Sequence, residues 1–401
     1  MQKLFWEGQK STLYGQSQGS IAVQIQSWLA TLTLAASQCL GCERGSLGGR
    51  EHATLVSASV SAKRGVAPAP SAQVRALPFA PASGPALVPD LAWAKDFKGV
   101  KTFQEKHPLG VLTAVFLPDG RRGLSSGVDG VARLWNLDTG SVDARWTGPQ
   151  FQFAHAVLTK DGQRVLSAGQ ATEYWQLANG QAIRSLNEPE YVGATSIALA
   201  HDERRAAVSF PGQLVIWELE TGTIAERVPT TGHGSVLSLA FGPDDAELAL
   251  VTDLERCSLR IADGGLLSCH GFPDATGRIV SARSRARISV LASLDADFAH
   301  GATSAAPPSG ALFVWDNAAA ALGPAWPLNE QLNALDASDT GEIVAYGSQS
   351  AVTLWDGARR RNLARLSASG VSSVALSVGA ELVLIGQGDG SVRLWKPSKP
   401  H

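Results

Sequence analysis

The amino-acid sequence predicts an all-β fold, a β-propeller of seven blades behind a mostly disordered N-terminal leader. Three observations support this prediction: tryptophan recurs at a fixed interval, glycine is abundant, and short apolar segments alternate with turn sequences. The 401 residues include 41 glycines and 11 tryptophans, and 44% of them are hydrophobic while 17% are charged. This composition supplies a sizeable core and many tight turns, as expected for a protein of short strands.

Six tryptophans mark the repeat. Consecutive members are separated by 40, 42, 98, 40 and 40 residues, and the long interval corresponds to two periods plus an insertion. They are Trp135, Trp175, Trp217, Trp315, Trp355 and Trp395. Residues 258–263 are similar to the segments that end in the other tryptophans and place Ile261 in the tryptophan position of the missing repeat. The sequence therefore predicts seven repeats.

Each repeat has the same order of elements, which the first one shows. Residues 111–116 alternate as a strand, and residues 117–120 contain the proline and glycine of a tight turn. Residues 122–126 and 131–135 are the next two predicted strands. A polar turn at 138–140 leads to a fourth strand. Four antiparallel strands in about 40 residues are typical of one propeller blade.

The first and last repeats resemble the WD40 family of β-propellers. The resemblance rests on HPLGVLTAVFLPDGRRGLSSGVDGVARLWNLDTG, which begins at His107, and on VSSVALSVGAELVLIGQGDGSVRLWKP, which begins at Val371. It extends over residues 96–401 and is weak in the middle repeats. Most members of the family carry an aspartate six residues before the tryptophan. Asp129 and Asp389 match it, and Glu255 takes that place before the isoleucine of the fourth repeat.

The resemblance implies a buried network that joins a histidine, a serine, the turn aspartate and the tryptophan indole. Only the first repeat matches all four positions, with His107, Ser125, Asp129 and Trp135. The other blades are expected to be held by apolar packing and backbone hydrogen bonds alone. Each buried indole removes roughly 150–250 Å² from water, which contributes about 4–6 kcal/mol.

The ends of the repeat region predict how the ring closes. The residues after Trp395 are too few for a fourth strand, whereas residues 99–103 precede the first repeat without a blade of their own. Unpaired strand edges favour aggregation. We therefore expect residues 99–104 to supply the outer strand of the last blade, and a plain linker is the alternative.

Two segments lie outside the regular repeats. Residues 1–95 are expected to form a leader, with 57–89 as an Ala/Pro/Ser-rich linker, and residues 96–401 the propeller. Residues 21–37 are too short and too polar for a membrane span but resemble the apolar core of an export signal. Export or organelle targeting is therefore one alternative for localisation, and a cytoplasmic extension is the other. An insertion at 294–310 predicts a loop, either a contact surface or simple length variation.

Motifs for catalysis or metal binding are sparse. Cys39 and Cys42 form a Cys-x-x-Cys pair without the second pair that would complete a zinc site, and the chain has no metalloprotease, nucleophile-elbow or phosphate-loop motif. Asp119, Asp161 and Asp339 recur in the same turn of different repeats, so they are expected to be turn residues. We predict no catalytic residue, metal or cofactor.

Cys257 and Cys269 flank a turn and are predicted to lie on adjacent antiparallel strands. A cross-strand disulfide is one alternative. Two free buried thiols are the other, and they are favoured because the geometry of such a disulfide is demanding.

Charge and aromatic residues bear on the binding partner. The 34 basic and 36 acidic residues give a formal net charge of −2, so no nucleic acid is expected. Arginine-rich turns on one face are interrupted by acidic residues, which favours a solvated surface. Phe151, Tyr191 and Phe210 lie on or beside connections of the other face, where exposed aromatics would supply a binding surface. Packing between blades is the alternative for these three, and it is favoured.

The WD40 resemblance implies a noncatalytic scaffold that binds a protein or peptide, as a monomer or as part of a complex, with no transmembrane segment. The alternative is a propeller enzyme or small-ligand binder that uses the central channel. Such a protein needs a convergent polar or metal-binding cluster near the axis, and the sequence shows none.

Overall fold

The computed structural model describes residues 97–397, with gaps at 188–192, 264, 273–277, 286–287, 295–309, 318–319, 324, 329, 339–340, 358 and 360. These residues belong to one compact unit, Pro78–His401. The predicted leader at 1–95, the insertion loop and Cys39 and Cys42 lie outside the described residues.

The described chain begins with β1 (Phe97–Lys106) and continues into seven antiparallel sheets, called blades 1 to 7 in chain order. Blade 1 contains β2 (Val111–Phe116), β3 (Arg122–Gly127), β4 (Val131–Asn136) and β5 (Val142–Thr147). Blade 2 contains β6 (Phe153–Leu158), β7 (Arg164–Gly169), β8 (Thr172–Gln176) and β9 (Ala182–Ser185). Blade 3 contains β10 (Ser196–Leu199), β11 (Arg205–Phe210), β12 (Gln213–Glu218) and β13 (Thr223–Pro229).

The remaining blades repeat this order, with one divided strand in blade 5. Blade 4 contains β14 (Val236–Phe241), β15 (Glu247–Thr252), β16 (Glu255–Arg260) and β17 (Gly265–Gly271). Blade 5 contains β18 (Arg278–Ser284), β19 (Ile288–Leu294), β20 (Gly310–Asp316) and, both paired with β20, β21 (Ala321–Leu322) and β22 (Trp326–Leu328). Blade 6 contains β23 (Leu332–Ala337), β24 (Ile343–Ser348), β25 (Ala351–Asp356) and β26 (Arg361–Ser367). Blade 7 contains β27 (Val371–Leu376), β28 (Val383–Gln387), β29 (Ser391–Pro397) and β1.

The first strands of the blades form a closed inner ring. The first strand of each blade contacts the first strand of the next, and β27 contacts β2. Side chains also join neighbouring blades: the Ala114 amide donates to Ser373 Oγ at 2.9 Å, and the Leu376 amide donates to an Asp336 carboxylate oxygen at 2.8 Å. The predicted seven-bladed propeller is therefore confirmed.

Strand β1 closes the ring. It pairs antiparallel with β29, with Val100 opposite Trp395 and Thr102 opposite Arg393. Phe103 of the same strand is buried and its ring centroid lies 4.9 Å from that of Trp135 in blade 1. The structure confirms that residues near 99–104 are the outer strand of the last blade, and this strand packs against the first blade as well.

The strand register explains the tryptophan interval and corrects the fourth repeat. Trp135 lies opposite Gly123 and next to a bulge in the pairing with β5. In blade 4 the equivalent position, next to the same bulge, holds the fully buried Leu259. The prediction that Ile261 fills this position was wrong, and Ile261 instead begins a 3-10 helix. Leu259 lies 42 residues after Trp217, the same spacing that separates Trp175 from Trp217, so the interval is kept in blade 4 and the position of Ile261 is two residues too far along the chain.

The aromatic residues predicted on the connections are core residues where they are described. Phe151 is 5% exposed and packs edge-on against Trp175, with centroids 5.4 Å apart. Phe210 is 3% exposed and belongs to the cluster that contains Trp217. A short 3-10 helix, Pro149–Phe151, turns the first of them inward between blades 1 and 2. The favoured alternative, packing between blades, is therefore confirmed for these two, which do not form an exposed binding surface, and Tyr191 lies outside the described residues.

The helices in the described part of the chain are short 3-10 turns, and none has the length and apolar character needed to cross a bilayer.

Candidate functional site

The side chains of the predicted network meet in blade 1. His107 follows β1, Ser125 lies on β3, Asp129 lies in the turn before β4, and Trp135 lies on β4. Trp135 Nε1 donates to Ser125 Oγ at 2.7 Å, and Ser125 Oγ lies 2.8 Å from His107 Nε2. His107 Nδ1 lies 2.9 Å from Asp129 Oδ1. The pattern is satisfied when Ser125 donates to Nε2 and Nδ1 donates to the carboxylate.

Ser125, His107 and Asp129 are hydrogen-bonded in the same order as the residues of a serine–histidine–aspartate catalytic triad. The side chains of Ser125 and His107, however, are buried like those of core residues. His107, Ser125 and Trp135 are fully buried, and the serine oxygen already accepts from the indole. A nucleophile must meet its substrate in a site with an oxyanion donor. The network therefore joins β4, the third strand of blade 1, to the segment that precedes β2, its first strand.

Two further residues complete this network. Gly127 leaves the space it needs, because a Cβ there would lie 2.2 Å from His107 Nδ1 and 2.5 Å from Asp129 Oδ1. Arg133 donates from Nη1 to Asp129 Oδ2 at 3.0 Å and is 8% exposed. The sequence contained a signal for Arg133, since it lies two residues before Trp135 and so on the same face of β4.

Protonation in the network follows from burial and charge. Burial lowers the pKa of His107 below its usual value, although the hydrogen bond to Asp129 opposes this effect. Burial would raise the pKa of Asp129, but hydrogen bonds and charges of His107 and Arg133 outweigh it and lower that pKa. The ion pair is therefore Asp129 with Arg133, and the imidazole is neutral near pH 7.

The other repeat tryptophans differ from Trp135. Trp175 Nε1 donates to Ser167 Oγ at 3.0 Å, so the expectation that only packing and backbone bonds hold the other blades was wrong for blade 2. Among the described residues, four other indole nitrogens are buried without a hydrogen-bond partner. These belong to Trp217, Trp315, Trp355 and Trp395. Asp389, which matches the family position in blade 7, instead accepts from Lys106 Nζ at 3.0 Å.

Blade 4 holds a second cluster of polar side chains. Cys257 on β16 lies directly opposite Cys269 on β17, and a disulfide joins them. The expectation of two free thiols was therefore wrong, because the register brings the two Cα atoms within 4.1 Å of each other. Beside this pair, His233 Nδ1 lies 2.5 Å from Glu255 Oε1. Glu255 therefore contacts a histidine, as Asp129 does in blade 1. Glu255 is the first residue of β16, whereas Asp129 lies in the turn before β4.

Polar side chains also lie on the inner strands that surround the central channel. His155 lies on β6 and Arg283 on β18, which are inner strands on opposite sides of the ring. Burial, with a smaller contribution from the positive charge of Arg283, lowers the pKa of His155 to about 4. Arg283 Nε lies 2.8 Å from Asp336 Oδ1 of blade 6.

The two faces of the ring carry different residues. We call the face with the connections between blades and the turns between second and third strands the connection face. On the opposite face, Arg122 Nε lies 2.6 Å from Asp119 Oδ2, and Arg359 Nη1 lies 3.2 Å from Asp356 Oδ2. These ion pairs offset much of the arginine charge, as expected for a solvated surface.

The predicted turn aspartates act as turn residues where they are described. Asp119 Oδ1 accepts from the Arg121 and Arg122 amides at 2.9 and 3.0 Å. Asp161 Oδ1 accepts from the Gln163 amide at 2.9 Å. Asp339 lies outside the described residues. Their carboxylates are thus used to stabilise separate turns.

Large apolar side chains are exposed mainly on the connection face. Leu109, between β1 and β2, is 62% exposed, and Leu254, between β15 and β16, is 55% exposed. Val280 lies near the start of β18 on the same side and is also exposed. Val378, between β27 and β28, is exposed on the opposite face.

Comparison with known proteins gives matches to one family. The model of the WD domain, G-beta repeat, matches residues 97–136 and 361–396. A curated relative, WD repeat-containing protein SL1-17 of Schistosoma mansoni, is 27% identical over 168 residues, which cover 41% of this chain and 54% of the relative. The chain therefore matches about half the length of that relative. Each family-model match contains the outer strand of one blade and the first three strands of the next.

Proposed function

Because the chain is a WD40-repeat β-propeller, we propose that it is a noncatalytic scaffold whose connection face binds a protein or peptide. WD40 propellers commonly mediate protein interactions. Beyond this general role, we propose that the chain is noncatalytic and that its partner binds the connection face. The choice of this face is based on the residues exposed on it.

One observation carries the choice of face. Of the four exposed large apolar side chains among the described residues, Leu109, Leu254 and Val280 lie on the connection face. Leu254 and Val280 belong to adjacent blades, whose strands β15 and β18 contact each other. Exposed apolar groups near the centre of a binding surface supply much of its free energy. The closed ring holds them on a rigid backbone, which lowers the entropic cost of binding.

The test compares the two faces of one folded protein. The full chain, the double variant Leu109→Ser/Leu254→Ser and the control Val378→Ser are expressed in the source cells and cross-linked, and captured proteins are identified by mass spectrometry. A partner found with the full chain is then purified and its affinity for all three proteins is measured. We expect the double variant to lose at least about tenfold in affinity and the control to match the full chain. Loss in the control alone, or equal binding by all three proteins, would contradict the assignment of the face.

Small-ligand binding in the channel is the second candidate, and it is favoured by Arg283, whose side chain is 39% exposed on the inner strand β18. A small anionic ligand would interact with this arginine, whereas the nearby Asp336 opposes such binding. Native mass spectrometry of the purified full chain tests this candidate. A stoichiometric small-molecule adduct that disappears in Arg283→Gln, while partner capture is unchanged, supports the channel. An identical mass in both proteins, equal to that of the chain alone, contradicts it.

A further inference from the structure

We propose that blade 4 binds one zinc ion when Cys257 and Cys269 are reduced. The ligands are the two thiolates, His233 and Glu255. Their candidate ligand atoms all lie within 4.8 Å of one another. This site is independent of the proposed binding function and of the network in blade 1.

Strand geometry brings the four side chains together. Glu255 and Cys257 are two residues apart on β16, so they lie on the same face of the strand. Cys269 lies opposite Cys257 on β17, and His233 precedes β14 of the same blade. Cys269 Sγ lies 3.7 Å from His233 Nδ1. Three different strands or connections of one rigid sheet therefore contribute ligands.

The distances require only small movements to fit a tetrahedral ion. Zinc bonds of about 2.3 Å to sulfur and about 2.0–2.1 Å to nitrogen or oxygen separate the ligand atoms by roughly 3.3–3.8 Å. The separation of Cys269 Sγ and His233 Nδ1 is already 3.7 Å. Reduction allows the two sulfur atoms to move apart to that range. The Glu255 oxygen, 2.5 Å from His233 Nδ1, must withdraw by about 1 Å.

The donor set and the burial favour zinc over a hard cation. Two thiolates with an imidazole and a carboxylate are ligands that zinc accepts, whereas calcium and magnesium prefer oxygen alone. Cys257 is 1% exposed, while the side chains of His233 and Glu255 are 34% and 19% exposed. An ion can therefore enter from the side of His233 and reach the buried sulfur. Arg256 points to the other face of β16, where it donates to Asn317 at 3.2 Å, so its charge does not enter the site.

The disulfide and the ion are alternative occupants of the same two sulfur atoms. With hydrogen peroxide as oxidant, the zinc-bound dithiolate, one peroxide and two protons give the disulfide, free Zn²⁺ and two waters. The two thiolates lose two electrons, and the peroxide O–O bond accepts them. Oxidation of the loaded protein should therefore release one zinc ion for each disulfide formed.

The experiment uses the full chain in a Cys39→Ser/Cys42→Ser background, so that the N-terminal cysteine pair contributes no metal binding. The oxidised and the reduced protein are titrated without oxygen, first with Co²⁺ as a spectroscopic probe and then with Zn²⁺ against a chromophoric chelator. We expect one equivalent of metal in the reduced protein, with thiolate-to-cobalt charge-transfer absorption. We expect no binding in the oxidised protein. Peroxide added to the zinc-loaded form should release one equivalent.

A matched pair of variants separates the site from other histidines. His233→Gln leaves both cysteines in place and should weaken zinc binding at least about tenfold, because loss of a residue that only orients a ligand already costs 10–100-fold. His201→Gln removes a histidine that also contacts a carboxylate, Asp245, at 2.8 Å and should bind zinc like the parent. Equal affinity in His233→Gln and His201→Gln, cobalt spectra without thiolate absorption, or no zinc binding by the reduced parent would each overturn the proposal.

Discussion

Trp135 and Trp395 occupy equivalent positions in neighbouring blades, but their indole nitrogens have different surroundings. Trp135 Nε1 donates to Ser125, whereas Trp395 Nε1 is buried without a hydrogen-bond partner among the described residues. A buried N–H that makes no hydrogen bond loses the free energy of its contact with water. Packing therefore must outweigh that cost at Trp395, while Trp135 gains from both packing and the hydrogen bond.

This difference predicts unequal costs for the same substitution. Trp135→Phe removes a donor that Ser125 needs, while Trp395→Phe removes a buried donor without a partner. Both variants lose apolar area, so the difference between them isolates the hydrogen bond. We expect Trp135→Phe to be less stable than Trp395→Phe by about 1 kcal/mol. Urea unfolding of both variants measures this difference, and equal or reversed stabilities would show that the hydrogen bond contributes nothing.

His155 gives the protein a dependence of stability on pH. The folded protein holds the pKa of this residue at about 4, below its value of 6.5 in a model peptide. As pH falls from 6.5 to 4, the unfolded chain binds a proton that the folded chain does not. Stability is therefore full above pH 6.5 and is lost toward pH 4, by up to about 3 kcal/mol. His107, whose pKa is also lowered, acts in the same direction.

The variant His155→Gln should lose less stability over this range than the parent. The midpoint of urea unfolding at pH 7 and at pH 4.5 measures the loss, and His201→Gln, an exposed histidine, serves as the control. A loss in His155→Gln as large as in the parent would mean that His155 does not cause this dependence on pH.

At the scale of elements, β1 has contacts with two blades. It pairs with β29 of blade 7, and its Phe103 packs against Trp135 of blade 1. Glu105 of the same strand forms an ion pair with Arg145 of blade 1, although exposed pairs contribute little. Loss of this strand removes a ladder of hydrogen bonds and a buried aromatic side chain together.

Deletion of residues 96–105 should therefore lower the melting temperature markedly. The buried aromatic contact alone is worth about 3–5 kcal/mol, and the deletion also exposes the edge of β29. A deletion of residues 57–89, predicted to be a linker, is the control and should leave the temperature unchanged. Calorimetry that finds the same melting temperature for both deletions would rule out a stabilising role for β1.

Much of this element-level structure was predictable from the sequence, because the tryptophan interval reflects the register of the second and third strands. The position was misplaced in blade 4, because a leucine takes the place of the tryptophan there and the similarity of residues 258–263 to the other repeats pointed to Ile261 instead of Leu259. The sequence also left two alternatives open for Phe151, because a 3-10 helix that turns a side chain inward has no periodic pattern.

At the scale of the whole molecule, ring closure creates sites that sequence spacing does not reveal. Ala114 and Ser373 come from blades 1 and 7 and are joined by a hydrogen bond only because the ring closes. In contrast, the four residues of the blade 1 network lie within one repeat, and their spacing resembled a known family. The candidate site was therefore predictable where it lies inside a repeat and unpredictable where it depends on the closed ring.

The central claim is that residues preceding the first blade complete the last one, and a cysteine cross-link measures this pairing directly. With the four native cysteines replaced by serine, the pair Thr102→Cys/Arg393→Cys places thiols on directly opposite residues of β1 and β29. The control pair Thr102→Cys/Lys396→Cys is out of register, since Lys396 lies opposite Gly99. Mass spectrometry after mild oxidation should find a disulfide in the first pair and none in the control. No disulfide in the first pair, or equal disulfide formation in both, would contradict the closed ring.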